Sequence, residues 1–178
     1  MFTIPDFTIS DPSTDHLNQE GRRPYPVACL EIFLLDQARE RSKRAESTVF
    51  AQLKTIFDWQ INRRQQANYL QKLSNGYTFV LTDSNKQILW TSHSFMTMTG
   101  YTHREVAGQT PRMLQGVGTN PDTLRYVSSQ LRQQQAVKAD LLNYRKGGDP
   151  YLCRLEIDPL FNVAGELTHF LAVEQELV

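Results

Sequence analysis

Neither glycine nor proline occurs between Val27 and Leu73, and this absence limits the fold more than any other feature of the chain. Gln, Arg, Ala, Leu and Glu are abundant in this stretch, and all have high helix propensity. Apolar residues recur mainly at steps of three and four, the spacing of one helix face, at Leu35, Ala38, Ala45, Val49, Leu53, Ile56, Ala67 and Leu70. We therefore predict a helical region over residues 26–75, which Asn75-Gly76 closes as a C-terminal cap.

The apolar stripe of this helical region needs a second surface. It is wider than the narrow seam of a coiled coil, because it also includes Phe50, Phe57, Trp59 and Ile61. We expect a break between two helices in the charge-dense centre, residues 38–48. A helix cannot bury such a stripe against itself, so the stripe must pack on the following domain, on a second subunit, or on both. The residues predicted to make these cap or dimer contacts are Leu53, Phe57, Trp59, Ile61, Leu70, Leu171 and Val173.

After Gly76 the pattern changes from helical spacing to short alternating runs separated by turn residues. These runs predict strands over residues 77–83, 87–91, 137–144, 151–160 and 167–176. Shorter helical or loop pieces are expected after the second strand, and Asn120-Pro121 marks the start of a helix that ends near Gln135. The order predicts an α+β domain over residues 76–178, with a five-stranded antiparallel sheet and helices on one face.

The charge balance excludes several classes of partner. The chain has 19 Lys+Arg and 19 Asp+Glu, so no global attraction to nucleic acid or to an anionic membrane is expected. No apolar run approaches the roughly 20 residues that span a bilayer, and no secretory signal pattern begins the chain. We therefore expect a cytoplasmic protein. Residues 1–25 are rich in proline and polar residues, and they are predicted to form an extended or flexible arm.

Reactive and metal-binding constellations are missing from the sequence. Cys29 and Cys153 are too few for a disulfide framework, and no Cys/His cluster suggests a metal. No Ser/His/Asp set, Walker motif or GxGxxG word is present. The four histidines are scattered and are expected in turns and on the surface. We predict neither an enzyme nor a metal site.

Several short sequence motifs in the second half of the chain resemble those of the PAS domain family. They are the opening strands Val80–Asp83 and Ile88–Ser92, the signature Phe95–Tyr101 followed by Glu105–Gly108, and the hairpin Leu142–Gly148. The resemblance extends over residues 77–177. It implies a PAS fold with a sensory or interaction role, in which helices that precede the core commonly pair two subunits.

Within PAS domains, the resemblance is to the LOV photoreceptor branch, which binds a flavin nucleotide. Residues 108–116 read Gly-Gln-Thr-Pro-Arg-Met-Leu-Gln-Gly, beside Gly-Arg-Asn-Cys-Arg-Phe-Leu-Gln-Gly in that branch. The cysteine of this LOV motif forms a light-driven adduct with the flavin, and Pro111 occupies the matching position in this chain. Because proline has no thiol, adduct photochemistry is excluded at this position.

The resemblance also assigns flavin contacts, of which some are kept and some are replaced. Arg112 matches a phosphate-binding arginine, Gln115 matches a residue on the ribityl and phosphate side, and Asn143 matches the first asparagine at the ring edge. Thr110 replaces a ribityl-binding asparagine, and Cys153 replaces the second ring-edge asparagine. These replacements remove hydrogen-bonding groups from a site that is built to satisfy the ring edge.

Glu174 replaces the last-strand glutamine that senses the state of the flavin, and it is the largest departure. A carboxylate only accepts hydrogen bonds, whereas an amide both donates and accepts them. A carboxylate that faces an apolar pocket is also costly unless it is protonated or paired. We therefore expect that no cofactor is bound, and FMN binding is the alternative.

Two functions follow from this reading of the sequence. The first is a non-catalytic PAS signalling and interaction module without cysteine-adduct photochemistry. It forms a homodimer through the N-terminal helix and the outer sheet face, acts on an output protein, and has no nucleic-acid or membrane partner. The second is a flavin-binding photoreceptor or redox sensor that signals through flavin reduction, for which the cysteine is not required.

Overall fold

The computed structural model describes residues 26–177, so the predicted arm at residues 1–25 lies outside the described residues, as does the side chain of Cys29. The chain divides into two compact units between Arg39 and Glu40. In the first unit the described residues belong to helix α1 (Pro26–Ile56). Four consecutive apolar side chains of this part are 55–70% exposed: Ile32, Phe33, Leu34 and Leu35. Across residues 26–177, no helix combines the length and the apolar character that crossing a membrane requires.

The helical region contains a second helix, α2 (Arg63–Ser74), after a short connection. The prediction of a break at residues 38–48 is wrong, because α1 continues through them. The chain leaves the helical conformation at Asp58, whose φ is +51°. The backbone N–H of Gln60 then donates a hydrogen bond to the carbonyl oxygen of Phe161 over 2.8 Å. A contact with a residue far away in the sequence therefore holds the connection.

Side-chain and backbone caps define both ends of α2. The Asn62 side chain accepts a hydrogen bond from the Gln65 N–H over 2.9 Å, and the Gln65 side chain accepts one from the Asn62 N–H over 3.1 Å, which is a capping box. At the other end, the Asn75 N–H donates to the Gln71 carbonyl over 3.0 Å, and Gly76 adopts a φ of +84°. The predicted Asn75-Gly76 cap is confirmed.

Five antiparallel strands form one sheet in the order β2-β1-β5-β4-β3. The strands are β1 (Thr78–Asp83), β2 (Ile88–Thr91), β3 (Val137–Tyr144), β4 (Pro150–Phe161) and β5 (Leu167–Leu177). The last strand of the chain is therefore the central strand of the sheet, with β1 on one side and β4 on the other. The predicted α+β class and the five-stranded antiparallel sheet are confirmed.

The segment between β2 and β3 crosses one face of the sheet, which we term the inner face. It forms α3 (His93–Thr99), α4 (His103–Val106), a 3₁₀ turn (Pro111–Leu114) and α5 (Pro121–Arg132). The Asn120 side chain caps α5 by accepting a hydrogen bond from the Asp122 N–H over 2.8 Å, as the sequence predicts. The segment packs on the inner face through Val80, Ile88, Phe95, Val106, Leu114, Val127, Leu131, Val137 and Phe170.

The C-terminal part of α1, the connection and α2 cover the opposite, outer face of the sheet. The buried residues here, the cap cluster, are Phe50, Trp59, Ile61, Tyr69, Leu73, Phe79, Leu81, Leu160, Leu171 and Val173. Leu53, Phe57 and Leu70 pack against this cluster and are partly buried. All the residues predicted to make cap or dimer contacts therefore pack together within one chain. Two polar contacts join α2 to β4: Tyr69 Oη donates to Asp158 over 2.7 Å, and Lys72 Nζ donates to Glu156 over 2.7 Å.

Candidate functional site

A cavity of about 550 Å³ lies between the inner face of the sheet, the 3₁₀ turn and α5. Its apolar walls are formed by Val80, Leu114, Leu124, Val127, Leu131, Leu141, Leu155, Ile157, Phe170 and Ala172. Its polar lining consists of Thr82, Asn85, Lys86, Thr110, Arg112, Gln115, Ser128, Asn143 and Glu174. Apolar walls with a few convergent polar groups, at this volume, are typical of a site for a small organic molecule.

The site residues assigned by resemblance converge on this cavity with one exception. Those that line it are Thr110, Pro111, Arg112, Gln115, Asn143 and Glu174. Cys153 does not line it, because its side chain is packed in a separate cluster with Met98 and Tyr151, where its Sγ atom lies 3.8 Å from a carboxyl oxygen of Glu174. No cysteine is among the lining residues, so no thiol reaches the cavity from its walls.

Pro111 belongs to the wall that the 3₁₀ turn contributes. Proline suits the first position of a helical turn, because its φ is already fixed and its missing N–H is not needed there. The turn is closed by hydrogen bonds from the Met113 N–H to the Thr110 carbonyl over 3.1 Å and from the Gln115 N–H to the Arg112 carbonyl over 3.0 Å. Pro111, which the resemblance places at the LOV cysteine position, therefore lies in the cavity wall, and its side chain is a ring without a nucleophile.

The buried polar residues of the cavity are Thr82, Asn143 and Glu174, and we term the region around Asn143 and Glu174 its inner end. Glu174 is 6% exposed, since its strand is central and the residue is paired with Thr78 of β1 and Leu155 of β4. Burial raises the pKa of Glu174 to about 7, against a smaller opposite effect of the hydrogen bond from the Cys153 thiol. Below this pH the group is a neutral carboxylic acid.

The other titratable groups around the inner end are also uncharged. Burial raises the pKa of the Cys153 thiol, and the neighbouring Glu174 raises it further. Burial and Glu174 raise the pKa of the Tyr151 hydroxyl in the same way. The nearby side chain of Asn143 has a smaller, opposite effect on the pKa of this hydroxyl. Below about pH 7 the inner end therefore offers neutral hydrogen-bonding groups in an apolar setting.

Two cations line the more exposed part of the cavity, which we term its mouth. Arg112 comes from the 3₁₀ turn, and Lys86 comes from the β1–β2 turn together with Asn85. Neither cation has an acidic partner in the part of the chain that the structure describes. Sequence reasoning missed Lys86 and Asn85, and no local signal marks them, because only the packing of the turn brings them to the cavity.

The polarity of the cavity defines the ligand that it can hold. A flat apolar body fits between the walls, a hydrogen-bonding edge can meet Asn143 and Glu174, and an anionic tail can meet Lys86 and Arg112. A flavin nucleotide has these three parts, so the residues present fit this group. No cluster of three or more metal-ligating side chains occurs among the described residues.

Comparison with protein families agrees with this architecture. A family model described as "PAS domain" matches residues 74–177. The chain belongs to the PAS domain family. The matched residues contain the whole sheet, the crossover helices and the cavity, so the PAS domain carries the candidate site.

Two curated relatives are similar to this PAS domain. A blue-light-activated histidine kinase of Brucella anthropi is 38% identical over 90 residues, which are 51% of this chain and 18% of the relative. Protein TWIN LOV 1 of Arabidopsis thaliana is 34% identical over 102 residues, which are 55% of this chain and 26% of the relative. This chain therefore spans only a minor part of the length of these relatives.

A solved structure described as "Flavin Analogue Sheds Light on Light-Oxygen-Voltage Domain Mechanism" is also similar. It has a TM-score of 0.58 and 30% sequence identity, and the match covers 62% of this chain and 85% of that chain. Together with the sequence relatives, this similarity supports a PAS domain of LOV type.

Proposed function

We propose that this chain is a non-catalytic sensory module of LOV type, which takes its input through the cavity and signals without a cysteine adduct. The observation that carries the proposal is the cavity itself, which side chains do not fill. Its wall contains Pro111, where the LOV motif has cysteine. The similarity to a blue-light-activated histidine kinase and to TWIN LOV 1 supports a sensory role.

The ligand proposed for the cavity is FMN. The replacements at Thr110, Cys153 and Glu174 favour loss of the cofactor, but two structural features favour its retention. The side chains leave a cavity of about 550 Å³ between the sheet and α5, a volume typical of a site for a small organic molecule. The cations Lys86 and Arg112 at the mouth also match a phosphate group.

A bound flavin supplies visible-light absorption and electron-transfer chemistry that does not need a thiol. In this proposal Asn143 and Glu174 orient the ring edge, and Arg112 and Lys86 hold the phosphate. Changes in hydrogen bonding at Glu174 reach β5 directly, and the outer side of β5 contributes Leu171 and Val173 to the cap cluster. The signal is therefore proposed to pass through the central strand to the helical cap.

The proposed output is a homodimer that acts on a separate protein. The residues predicted to make cap or dimer contacts pack within one chain, in the cap cluster or against it. Pairing of two chains is instead proposed to use the N-terminal part of α1, where Ile32, Phe33, Leu34 and Leu35 are more than half exposed. Four consecutive large apolar residues surround one turn of the helix, so apolar surface is exposed on several of its sides, and such exposure is typical of an interaction site.

Absorption spectroscopy tests the ligand proposal. The purified protein, before and after incubation with FMN and removal of the free compound, is expected to retain flavin, and Arg112→Ala is expected to weaken binding. If the wild type retains no flavin either as purified or after incubation with FMN, the ligand proposal is wrong, and the cofactor-free interaction module is the remaining function. Gln109→Ala is a matched surface control, since Gln109 is exposed and does not line the cavity.

Restoring a thiol tests the proposed lack of adduct photochemistry. FMN-loaded wild-type protein is expected to show no light-driven adduct, whereas FMN-loaded Pro111→Cys is expected to gain one that reverses in the dark. An adduct in the wild type would contradict the proposal.

Light scattering tests the dimer. Phe33→Glu with Leu34→Glu is expected to convert a dimer to a monomer, whereas Val163→Glu, at a residue that is 66% exposed in the β4–β5 turn, is expected to leave it unchanged. A wild-type monomer at micromolar concentration would contradict the proposed dimer.

A further inference from the structure

Glu174 is a buried carboxyl group that lines the cavity without a cationic partner. It is 6% exposed, and its only hydrogen-bonding neighbour among the described residues is the Cys153 thiol, at 3.8 Å. A buried carboxylate without a paired charge is strongly disfavoured. The geometry alone therefore favours the neutral form of this group.

The groups around Glu174 come from each element that packs on it, and none supplies a counter-charge. Strand β4 contributes Cys153 and Tyr151, β3 contributes Asn143, and β1 contributes Thr78. Burial raises the pKa values of Cys153 and Tyr151, so both remain uncharged near neutral pH.

The nearest cations are engaged or lie elsewhere in the cavity. Arg145 lies over the ring of Tyr151, with its Cζ atom 4.8 Å from the ring centroid, and its guanidinium is paired with Glu176. Lys86 and Arg112 line the mouth, and Ser128 of α5 is uncharged. Burial accordingly raises the pKa of Glu174 to about 7.

We propose that Glu174 is the specificity-determining residue of the cavity: in its protonated form it donates a hydrogen bond to an uncharged acceptor, such as a ring carbonyl oxygen, and in its ionised form it rejects the same edge. This inference rests on the proposed binding of a flavin-type ligand. Two acceptors that face each other, a carboxylate and a carbonyl, repel, and the charge remains buried without compensation. The cavity therefore selects neutral heteroaromatic edges, and it holds them more tightly at low pH than at high pH.

Glutamine at this position is the informative variant. An amide has a donor at every pH and has nearly the same shape as a carboxylic acid. Glu174→Gln is therefore expected to bind the ligand without pH dependence. Asp149→Asn is the matched control, because Asp149 is an exposed carboxyl in the β3–β4 turn and does not line the cavity.

Riboflavin is the probe for the binding test, because a phosphate group titrates near pH 6 and would add its own pH dependence. Binding is measured by quenching of riboflavin fluorescence between pH 5.5 and 8.5, a range of roughly one and a half units on each side of the expected transition. Above pH 7 the affinity of the wild type and of Asp149→Asn is expected to fall by up to about tenfold per pH unit. The affinity of Glu174→Gln is expected to stay constant.

Two outcomes of the binding test overturn the inference alone: a wild-type affinity that does not change with pH, or an equal decline in Glu174→Gln. If neither protein binds riboflavin or FMN at any pH, the proposed function fails, and the inference about ligand selection fails with it. Circular dichroism shows whether Glu174→Gln is folded.

A second measurement does not depend on the ligand or on the variant's stability. Infrared spectroscopy of the ligand-free wild type is expected to show a protonated carboxylic acid at pH 6 that titrates near pH 7, and Asp149→Asn is expected to retain it. Full ionisation of all carboxyl groups at pH 6 would overturn the inference, whatever the flavin does.

Discussion

The indole Nε1–H of Trp59 donates a hydrogen bond to Nδ1 of His169 over 3.1 Å. Trp59 follows α1, and His169 lies on β5, so this bond joins the helical cap to the central strand. The ring of Phe57 also packs on His169, with centroids 4.1 Å apart. Because Nδ1 accepts the bond, the neutral imidazole has its proton on Nε2. The expectation that the histidines lie in turns and on the surface is wrong for His169, which is 6% exposed.

Replacing Trp59 with phenylalanine is expected to destabilise the protein by about 2 kcal/mol, because the variant leaves a buried acceptor on His169 without a donor. Urea unfolding of Trp59→Phe against the wild type measures the difference. Trp90→Phe is the control, because the Trp90 side chain is only partly buried against the cap cluster and its indole N–H has no hydrogen-bond partner among residues 26–177. An equal loss in both variants would show that ring volume, and not the hydrogen bond, matters.

Acidification is expected to weaken the contact between Trp59 and His169. Burial lowers the pKa of His169 below its ordinary value of 6.5, although Asp83 opposes this shift. The folded protein therefore binds this proton less readily than the unfolded chain, so the stabilisation is present above pH 6.5 and is lost as the pH falls below it. Stability measured from pH 7 to pH 5 is expected to fall less steeply in His169→Gln than in the wild type. His103→Gln, at an exposed histidine, is expected to keep the wild-type slope.

Glu174 is expected to affect stability in the opposite direction. The change of its pKa from 4.5 to about 7 corresponds to about 3 kcal/mol. Because the folded-state pKa is raised, the stabilisation is complete below pH 4.5 and is lost as the pH rises through 7. Glu174→Gln is therefore expected to have a higher Tm than the wild type at pH 8.5, and this advantage is expected to shrink at pH 5. A difference in Tm that is the same at both pH values would contradict a protonated Glu174.

The loop between the 3₁₀ turn and α5 is expected to tolerate no side chain at Gly116. A Cβ atom there would overlap the ring of Tyr144 on β3. The Tyr144 ring is itself held, because its hydroxyl accepts a hydrogen bond from the Gly118 N–H over 2.9 Å. Gly116→Ala is expected to cost about 1–3 kcal/mol through overpacking.

Gly147→Ala is the control for this prediction, since Gly147 lies in the β3–β4 turn and its nearest neighbour would be the Asp149 carboxyl at 3.4 Å. Thermal unfolding of both variants provides the measurement. If Gly116→Ala is as stable as Gly147→Ala, the Tyr144 ring can move aside at no cost.

Most helices and strands could be predicted because each is specified by residues within it, through alternation in the strands and capping residues at the helix ends. The alternation that predicted a strand over residues 137–144 matches β3, and the Asn120 and Asn75 caps lie where their side chains and backbone can satisfy helix ends. The helix break was misplaced because charge density does not stop a helix. The true break depends on Asp58 at positive φ and on the bond between Gln60 and Phe161, which no local pattern encodes.

The residues of the candidate site could be predicted only where a recognisable motif contains them. The motifs around Pro111 and Asn143 predicted residues of the cavity lining, and Glu174 was predicted from its position in the last strand. Lys86 was missed because a lysine in a turn usually contacts water, and its φ of +69° and its position at the cavity depend on the folded turn. Cys153 was assigned to the cavity, but it lies outside the lining, because it is packed in a separate cluster with Met98 and Tyr151.

The position of β5 in the sheet restricts insertions and deletions in this chain. Alternate residues of β5 face the cavity on the inner face and the cap cluster on the outer face. Adding or removing one residue before Glu174 would therefore place its carboxyl on the outer face, against the apolar cap cluster, and would place Val173 on the cavity side. The β3–β4 turn, residues 146–149, is exposed and has no such alternation between two buried faces. Homologues and engineered fusions are therefore expected to vary in length at this turn and to keep an unchanged residue count across β5.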